Sequence, residues 1–319
     1  MNSKPLVSIC LATYNGEKYL KEQLDSIVKQ TYKNIELIAQ DDCSNDATLE
    51  ILERYKEKLN ITIYSNEKNL GYLKNFESLL HKTNGELIAL CDQDDIWEHN
   101  KIELLVHHIK DATLIYSNSL LIDADGNSLE KTLSQKLKNN FISSSTPLDF
   151  LYDNCVSAHA MLFKKELLHA LFPFPQHIYF DAWIAINAAN TDGVIYLEEE
   201  LVHYRQHSTN TLGNVKKSKT SNLSKIAKKV QKKEDGINYI LQKIHDLQKL
   251  QSISQKDLQL LQKLQTLYER FYSSYFNKEL FRFLLQHKNL FFNITKKDPF
   301  KIALKHAIGK KLYKVAPFL

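Results

Sequence analysis

A chain of 319 residues that is 43% hydrophobic and 25% charged, with only 8 glycines and 6 prolines, has the composition of a folded globular protein, and that excludes a disordered or collagen-like one. Four scattered cysteines without a CxxC pair exclude a disulfide scaffold or zinc ribbon and read as small buried residues in a reducing compartment. The net charge of +5 hides a division: residues 1–214 carry 19 basic and 30 acidic side chains, a balance of −11, whereas residues 215–319 carry 23 and 7, a balance of +16.

The first half alternates two hydrophobic periods. Leu6–Asn15 reads as a strand ending in polar residues, and Leu20, Leu24, Ile27 and Val28 follow at helical spacing. Ile35–Ser44 is a second strand, again ending in acids, and Ala47–Leu59 a helix. Ile61–Ser65 is a third strand, Phe76, Leu79 and Leu80 mark another helix, and Glu86–Asp92 is a fourth strand. Strand–helix alternation predicts an α/β fold with a mostly parallel sheet covered by helices on both faces. Beyond Asn100 the pattern is mixed: a hairpin turning at Asp125-Gly126, short strands at Ala160–Lys165 and Gly193–Leu197, and a helix over Phe180–Ala189. Val215–Lys233, rich in Lys and Ser, reads as a boundary, so the chain divides into 1–214 and a basic helical region, 215–319. There Ile237, Ile240, Ile244 and Leu247 form one stripe, and Leu261, Leu264, Tyr268, Phe271 and Tyr275 another. Asp298-Pro299 is a cap and first-turn proline, opening a last helix with Phe300, Leu304, Ile308, Leu312 and Val315 near one face and lysines around it. No apolar run approaches the roughly 18 residues of a spanning helix, and no signal peptide is expected.

Sheets of this kind bind ligands at the carboxyl ends of their strands. Three polar clusters fall there: Thr13-Tyr14-Asn15, Asp41-Asp42 and Asp92-Gln93-Asp94-Asp95. Acids after a strand commonly cap a helix or stay solvated. The convergence of three clusters favours instead a hard-cation site facing a diphosphate, because closely spaced carboxylates suit Mg2+ or Mn2+ with phosphate oxygens as further ligands. A calcium loop is excluded, since its glycine and distal glutamate are missing. No GxGxxG follows a strand and no Walker A sequence is present, which argues against dinucleotide and P-loop enzymes.

The runs "VSICLATYNGEKYLKEQLDSIVKQTYKNIELIAQDDCSND", "NEKNLGYLKNFESLL" and "GELIALCDQDDIW" resemble the inverting family 2 glycosyltransferases of GT-A fold over about residues 5–212. "DQDDIW" is most similar to bacterial rhamnosyltransferases of surface polysaccharide synthesis. The resemblance implies that Thr13 and Tyr14 line the pocket for the nucleotide base and that Asp42 accepts from the base's ring N–H. It implies that Asn69 and Lys74 contact ribose or phosphate, that Asp92 holds the ribose or a metal-bound water, and that Asp94 binds Mn2+ or Mg2+. It places the general base at Asp181, whose bland reading is a helix N-cap. "VHYRQHSTNTLG" resembles the family's YRxHxxN segment, so His207 becomes a late metal ligand or diphosphate contact, with Arg205 either meeting the diphosphate or purely structural. His203 and His159 receive bland readings, His159 being at most near the acceptor side. Glu198, Glu199 and Glu200 read as surface.

The implied activity is transfer of a sugar, first choice rhamnose from dTDP-rhamnose, onto a hydroxyl of a lipid-linked glycan. A UDP-hexose or UDP-N-acetylhexosamine donor is the near alternative and a non-catalytic sugar or nucleic-acid binding module the distant one. The basic C-terminal region, with "FRFLLQHKNLFF", favours an anionic membrane face over nucleic acid, while packing on a partner or a second copy of the chain fits as well. The expected location is cytoplasmic, peripheral on the inner face of the plasma membrane.

Overall fold

The computed structural model describes residues 4–207 and 225–315. Two compact units emerge from it. The first comprises Met1–Leu137, Phe141–Ser145 and Cys155–His207; the second comprises Lys138–Asn140, Thr146–Asn154 and Ser208–Leu319. The second unit thus takes two short segments from within the first 214 residues, which a division at one chain position does not anticipate.

The first unit is built on nine strands: β1 (Val7–Thr13), β2 (Ile35–Asp41), β3 (Ile61–Ser65), β4 (Leu87–Cys91), β5 (Ile96–Trp97), β6 (Leu114–Ile122), β7 (Ser128–Thr132), β8 (Met161–Lys164) and β9 (Val194–Arg205). Their order is β3-β2-β1-β4-β8-β6-β9-β5, with β7 on β6. Helices α1 (Leu20–Val28), α2 (Thr48–Arg54), α3 (Tyr72–Leu80), α4 (Lys101–Ile109), α5 (Leu133–Leu137), α6 (Leu168–Leu171) and α7 (Phe180–Ala189) connect them. The β3-β2-β1-β4 half is wholly parallel, as expected from its strand–helix alternation. The other half is mixed: β8 runs antiparallel to β4 and β6, and β6 is parallel to β9. The carboxyl ends of β1, β2, β4, β6 and β9 therefore open on one edge. β1 and β4 are buried along nearly their whole length, which is why they read as continuous apolar runs. The hairpin at Asp125-Gly126 forms as expected, with Gly126 at φ 89° and Asp123 Oδ1 accepting from the Asp125 and Asn127 amides. The four cysteines are free, three of them buried.

The second unit carries α8 (Lys225–Gln248), α9 (Gln255–Glu269), α10 (Lys278–Gln286), α11 (Lys288–Phe291), α12 (Pro299–Ala307) and α13 (Lys310–Val315). Part of the expected boundary, from Lys225, is therefore helix. The stripe Ile237, Ile240, Ile244 and Leu247 is buried, and Ser254, Asn277 and Asp298 cap α9, α10 and α12. Two expectations are corrected. The second stripe leaves the helix at Glu269, and Tyr275 is exposed. The last helix is not continuous: Ile308 is extended and bridges Phe276, and Gly309 packs so tightly on Ser274 that a Cβ would lie 2.2 Å from its carbonyl oxygen. The buried face of α12 is Ala303 and Ala307, so Phe300 (52%) and Leu304 (39%) stay exposed.

Candidate active site

The strand ends are locked together before any ligand is considered. Thr13 pairs with Asp41 in the sheet, and its hydroxyl donates to Asp41 Oδ1 at 2.9 Å; Asp41 also accepts from the Ser44 amide and hydroxyl. Asp41 is thus structural, and Thr13 offers a ligand its backbone only. Asp42 accepts from Asn66 Nδ2 (2.7 Å) and from the amides of Leu70 and Gly71 (both 2.8 Å). It shapes the loop leading into α3, where Gly71 sits at φ 82° and Asn69 Oδ1 also accepts from its amide. Lys74 is exposed on α3.

Gln93, which has no role in the sequence analysis, clamps Tyr14. Its Oε1 accepts from the Tyr14 amide at 2.8 Å and its Nε2 donates to the Tyr14 carbonyl at 3.0 Å. The ends of β1 and β4 are joined by these bonds, and a Cβ at Gly16 would collide with Gln93. Gln93 was visible inside the DQDD run but masked by the acids around it.

The acids themselves crowd together. Asp92 is pushed up to about 7, first by burial, then by Asp94 and Asp181. Asp181 therefore faces Asp92 although 89 residues separate them in the chain. Asp181 lies in the first turn of α7, accepting from the Ala182 amide; the N-cap is Tyr179, so the bland capping reading does not hold. Asp95 is wholly buried, and burial followed by Asp94 and Asp92 raises its pKa well above the carboxylate range. Its Oδ1 accepts from the Arg205 amide at 3.0 Å, while Oδ2 has no hydrogen-bond partner among the described residues.

Two basic residues sit behind this cluster. Lys101, the first residue of α4, is fully buried; its Nζ donates to the His159 carbonyl at 2.6 Å and lies 3.3 Å from the Trp97 ring centroid. Burial pushes it down to about 7 against the opposing pull of Cys91, Asp95 and Asp92. His159 is also buried, stacked on Tyr204, with Nε2 bonded to Ser119 Oγ at 2.9 Å. Burial and then Lys101 push it down to about 3, so the ring is neutral and its 3.9 Å approach to Asp92 is no ion pair. His159 is thus a satisfied core histidine, as its bland reading has it, and it also lies beside the acid cluster.

His207 and Arg205 leave β9 at the same edge. His207 Nε2 lies 2.7 Å from Asp94 Oδ2, so the expected metal pair is in direct contact. Arg205 is structural: fully buried over the Tyr19 ring, it donates to the Asp94 and Ala124 carbonyls and to Glu22. His203 bonds Glu98, and Glu198, Glu199 and Glu200 are exposed, in line with their bland readings. Tyr72 and Tyr179, exposed by 46% and 56%, stand near Asp181, whose charge, after burial and Tyr179, raises the Tyr72 hydroxyl.

Asp92, Asp95 and His159 each present one ligand atom within 4.8 Å of the others. Two carboxylates and a neutral imidazole suit a divalent ion, and the unpartnered Asp95 Oδ2 is the kind of orphan such an ion satisfies. Asp94 with His207 forms a second donor pair beside Asp92. The residues present therefore fit a cation.

A strand-end acid cluster on a sheet of this topology is the arrangement of sugar-nucleotide transferases, and comparison with known proteins agrees. Residues 8–172 match the model of glycosyl transferase family 2, and the chain belongs to that family. It is 32% identical over 227 residues to the uncharacterized glycosyltransferase MJ1057 of Methanocaldococcus jannaschii (68% of this chain, 76% of the relative). It is 31% identical over 244 residues to the dTDP-rhamnosyl transferase RfbG of Shigella flexneri (70% and 81%). Among solved structures, S. aureus TarS 1–349 in complex with UDP-GlcNAc superposes with a TM-score of 0.60 at 18% identity, covering 95% of this chain and 81% of that one. The mannosyltransferase PcManGT from Pyrobaculum calidifontis, in complex with GDP-Man and Mn2+, gives 0.51 at 16% (83% and 70%). The protein is a glycosyltransferase of GT-A-like fold.

Proposed function

We propose that the chain transfers a sugar from a nucleoside-diphosphate donor, with inversion, onto a hydroxyl of a lipid-linked glycan. The observation that carries this reading is the crowding of Asp92, Asp94, Asp95 and Asp181 at the edge where β1, β2 and β4 end. Tyr14 and Thr13 line the base pocket with backbone held by Gln93, Asp42 keeps the 66–71 loop in place under the nucleoside, and Asn69 and Lys74 reach ribose or phosphate. Asp92 and Asp94 present their oxygens to the diphosphate side, with His207 beside them. A bound Mn2+ or Mg2+ held there by Asp92, either with Asp94 and His207 or with Asp95 and His159, would neutralise the departing diphosphate. Asp181 takes the acceptor hydroxyl proton as that oxygen bonds to the anomeric carbon and the bond to the diphosphate oxygen breaks. Tyr72 and Tyr179 offer rings against which an acceptor sugar stacks.

The donor of first choice is dTDP-rhamnose, supported by the likeness to RfbG. A UDP-N-acetylhexosamine is the second reading, supported by the likeness to TarS, solved with UDP-GlcNAc. A panel of both nucleotide sugars, scored by thermal shift with Mn2+, separates them. For the chemistry, Asp181→Asn should lower transfer by about 10²–10⁴-fold while donor affinity stays within about twofold; transfer near the wild-type rate would remove Asp181 as base.

No helix among the described residues is long and apolar enough to cross a membrane. Peripheral docking on an anionic inner leaflet is supported by the exposed rings Phe276 and Phe300, joined through half-buried Phe281, with exposed Leu304 and the exposed lysines Lys278, Lys301 and Lys305. Phe300→Ser with Leu304→Ser should reduce sedimentation with anionic vesicles, and unchanged sedimentation would reject this surface.

A further inference from the structure

Within the second unit, α8, α12 and the 151–153 segment line a cavity of about 450 Å³, inside the size range of lipid and cofactor sites. Its walls are apolar: Leu151, Ile240, Phe292 and Ile302. One side is cationic. Lys297, Lys301 and Lys305 recur every four residues, which sets them along one line of α12 and the turn before it. None of the three is ion-paired among the described residues. Lys233 adds a further charge beside them: its Nζ donates to the Lys305 carbonyl at 2.6 Å, and burial followed by Lys305 pushes it down to about 8.

Two carboxylates also line the cavity. Asp298, which accepts from the Phe300 amide as the cap of α12, and Asp153 are two acids against three lysines, so the positive charge remains in excess. The polar floor is self-satisfied: Tyr152 bonds Tyr268, and Tyr268 bonds His306 Nδ1, both at 2.8 Å. Gly236 stands in α8 at the cavity wall, where glycine weakens a helix, and a Cβ there would meet no atom within 4 Å.

We propose that this cavity binds a phosphate-headed lipid, the phosphate on Lys297, Lys301 and Lys305 and the hydrocarbon chain along Leu151, Ile240, Phe292 and Ile302. A free anion would use the lysines and leave the apolar walls wet. A neutral hydrocarbon would leave the excess of lysines over Asp153 and Asp298 unanswered. Only a chain carrying a phosphate answers both halves of the lining. The site is built from the helical unit alone and stands or falls independently of the transfer reaction.

The test is isothermal titration of the full chain with farnesyl phosphate, kept below its micellar concentration, against farnesol and inorganic phosphate. Farnesyl phosphate should bind saturably at one site, with farnesol and inorganic phosphate each weaker by about tenfold or more. Gly236→Trp, which fills open space, and the double variant Lys301→Glu with Lys305→Glu should each weaken farnesyl phosphate by about tenfold or more, with melting temperature and donor binding retained. If Gly236→Trp does not fold, the lysine variant decides alone. No saturable binding, equal binding of inorganic phosphate or of farnesol, or undiminished affinity in the lysine variant would overturn the proposal.

Discussion

Lys101→Met removes one ammonium from beneath the acid cluster and keeps most of the apolar stem. The loss has two parts. The hydrogen bond to the His159 carbonyl is charge-assisted and contributes about 1.5–3 kcal/mol. The contact with the Trp97 ring is desolvated and contributes about 2 kcal/mol. Breaking one side of a buried charge pair costs about 3–5 kcal/mol, but Lys101 titrates near 7, so about half its charge is absent at neutral pH, and about 2–4 kcal/mol is expected. That corresponds to a fall of roughly 5–12 °C in Tm for a unit of this size.

The pH dependence identifies the cause. The unfolded chain keeps the Lys101 proton up to its ordinary value of 10.5, whereas the native chain releases it near 7. Between those values the unfolded state binds more protons, so this group makes the wild type more stable as pH rises. Asp92 acts in the opposite sense at lower pH. It is native-protonated up to about 7 but ionises at 3.8 when unfolded, so stability falls as pH rises across that window. The Lys101→Met chain lacks the first effect and leaves Asp92 and Asp95 without their nearest cation. Its deficit should therefore widen between pH 6 and pH 9, read by urea unfolding followed by circular dichroism. A variant within about 0.5 kcal/mol of wild type at both values, or a deficit that shrinks with rising pH, would refute a buried Lys101 that releases its proton near 7.

Gln93→Ala cuts both bonds to the Tyr14 backbone and should raise the donor KM about tenfold, with kcat changed less; steady-state kinetics would show it. Gly71→Ala meets no atom, yet φ 82° with ψ 156° is a glycine conformation, so the melt should register a loss of about 1–3 kcal/mol. Arg205→Lys replaces a guanidinium that serves two carbonyls and Glu22 at once, and a destabilisation of about 2–4 kcal/mol is expected in denaturant titrations.

What the sequence disclosed follows from how local each feature is. The parallel half of the sheet was legible because β1, β2 and β4 each bury a continuous run and each is followed by a helix-period segment. β5 has two residues and no period of its own; it exists because Ile96 and Trp97 pair with His203 and Val202. β9 was read as five residues because Glu198–Glu200 end the apolar run, whereas β6 carries it on to Arg205 through two register shifts. The break after α12 is set by the packing of Gly309 on Ser274, 35 residues earlier, while the apolar period runs through it undisturbed.

The site divides the same way. The acids could be placed from the sequence because strand ends are readable, but the groups that make them tolerable come from elsewhere: His159 from the turn before β8, Arg205 from the end of β9, Lys101 from the start of α4. Together these partners do not balance the acids. Arg205 pairs with Glu22, His159 is neutral, and Lys101 is about half charged at neutral pH. Facing four carboxylates, they leave a negative excess, which together with burial raises Asp92 to about 7 and Asp95 well above the carboxylate range. A site poised in that way gains most from an outside cation, because the ion displaces protons already held at a cost. The charge that weakens the fold is the same charge that would draw a metal-bound diphosphate to the edge of the sheet.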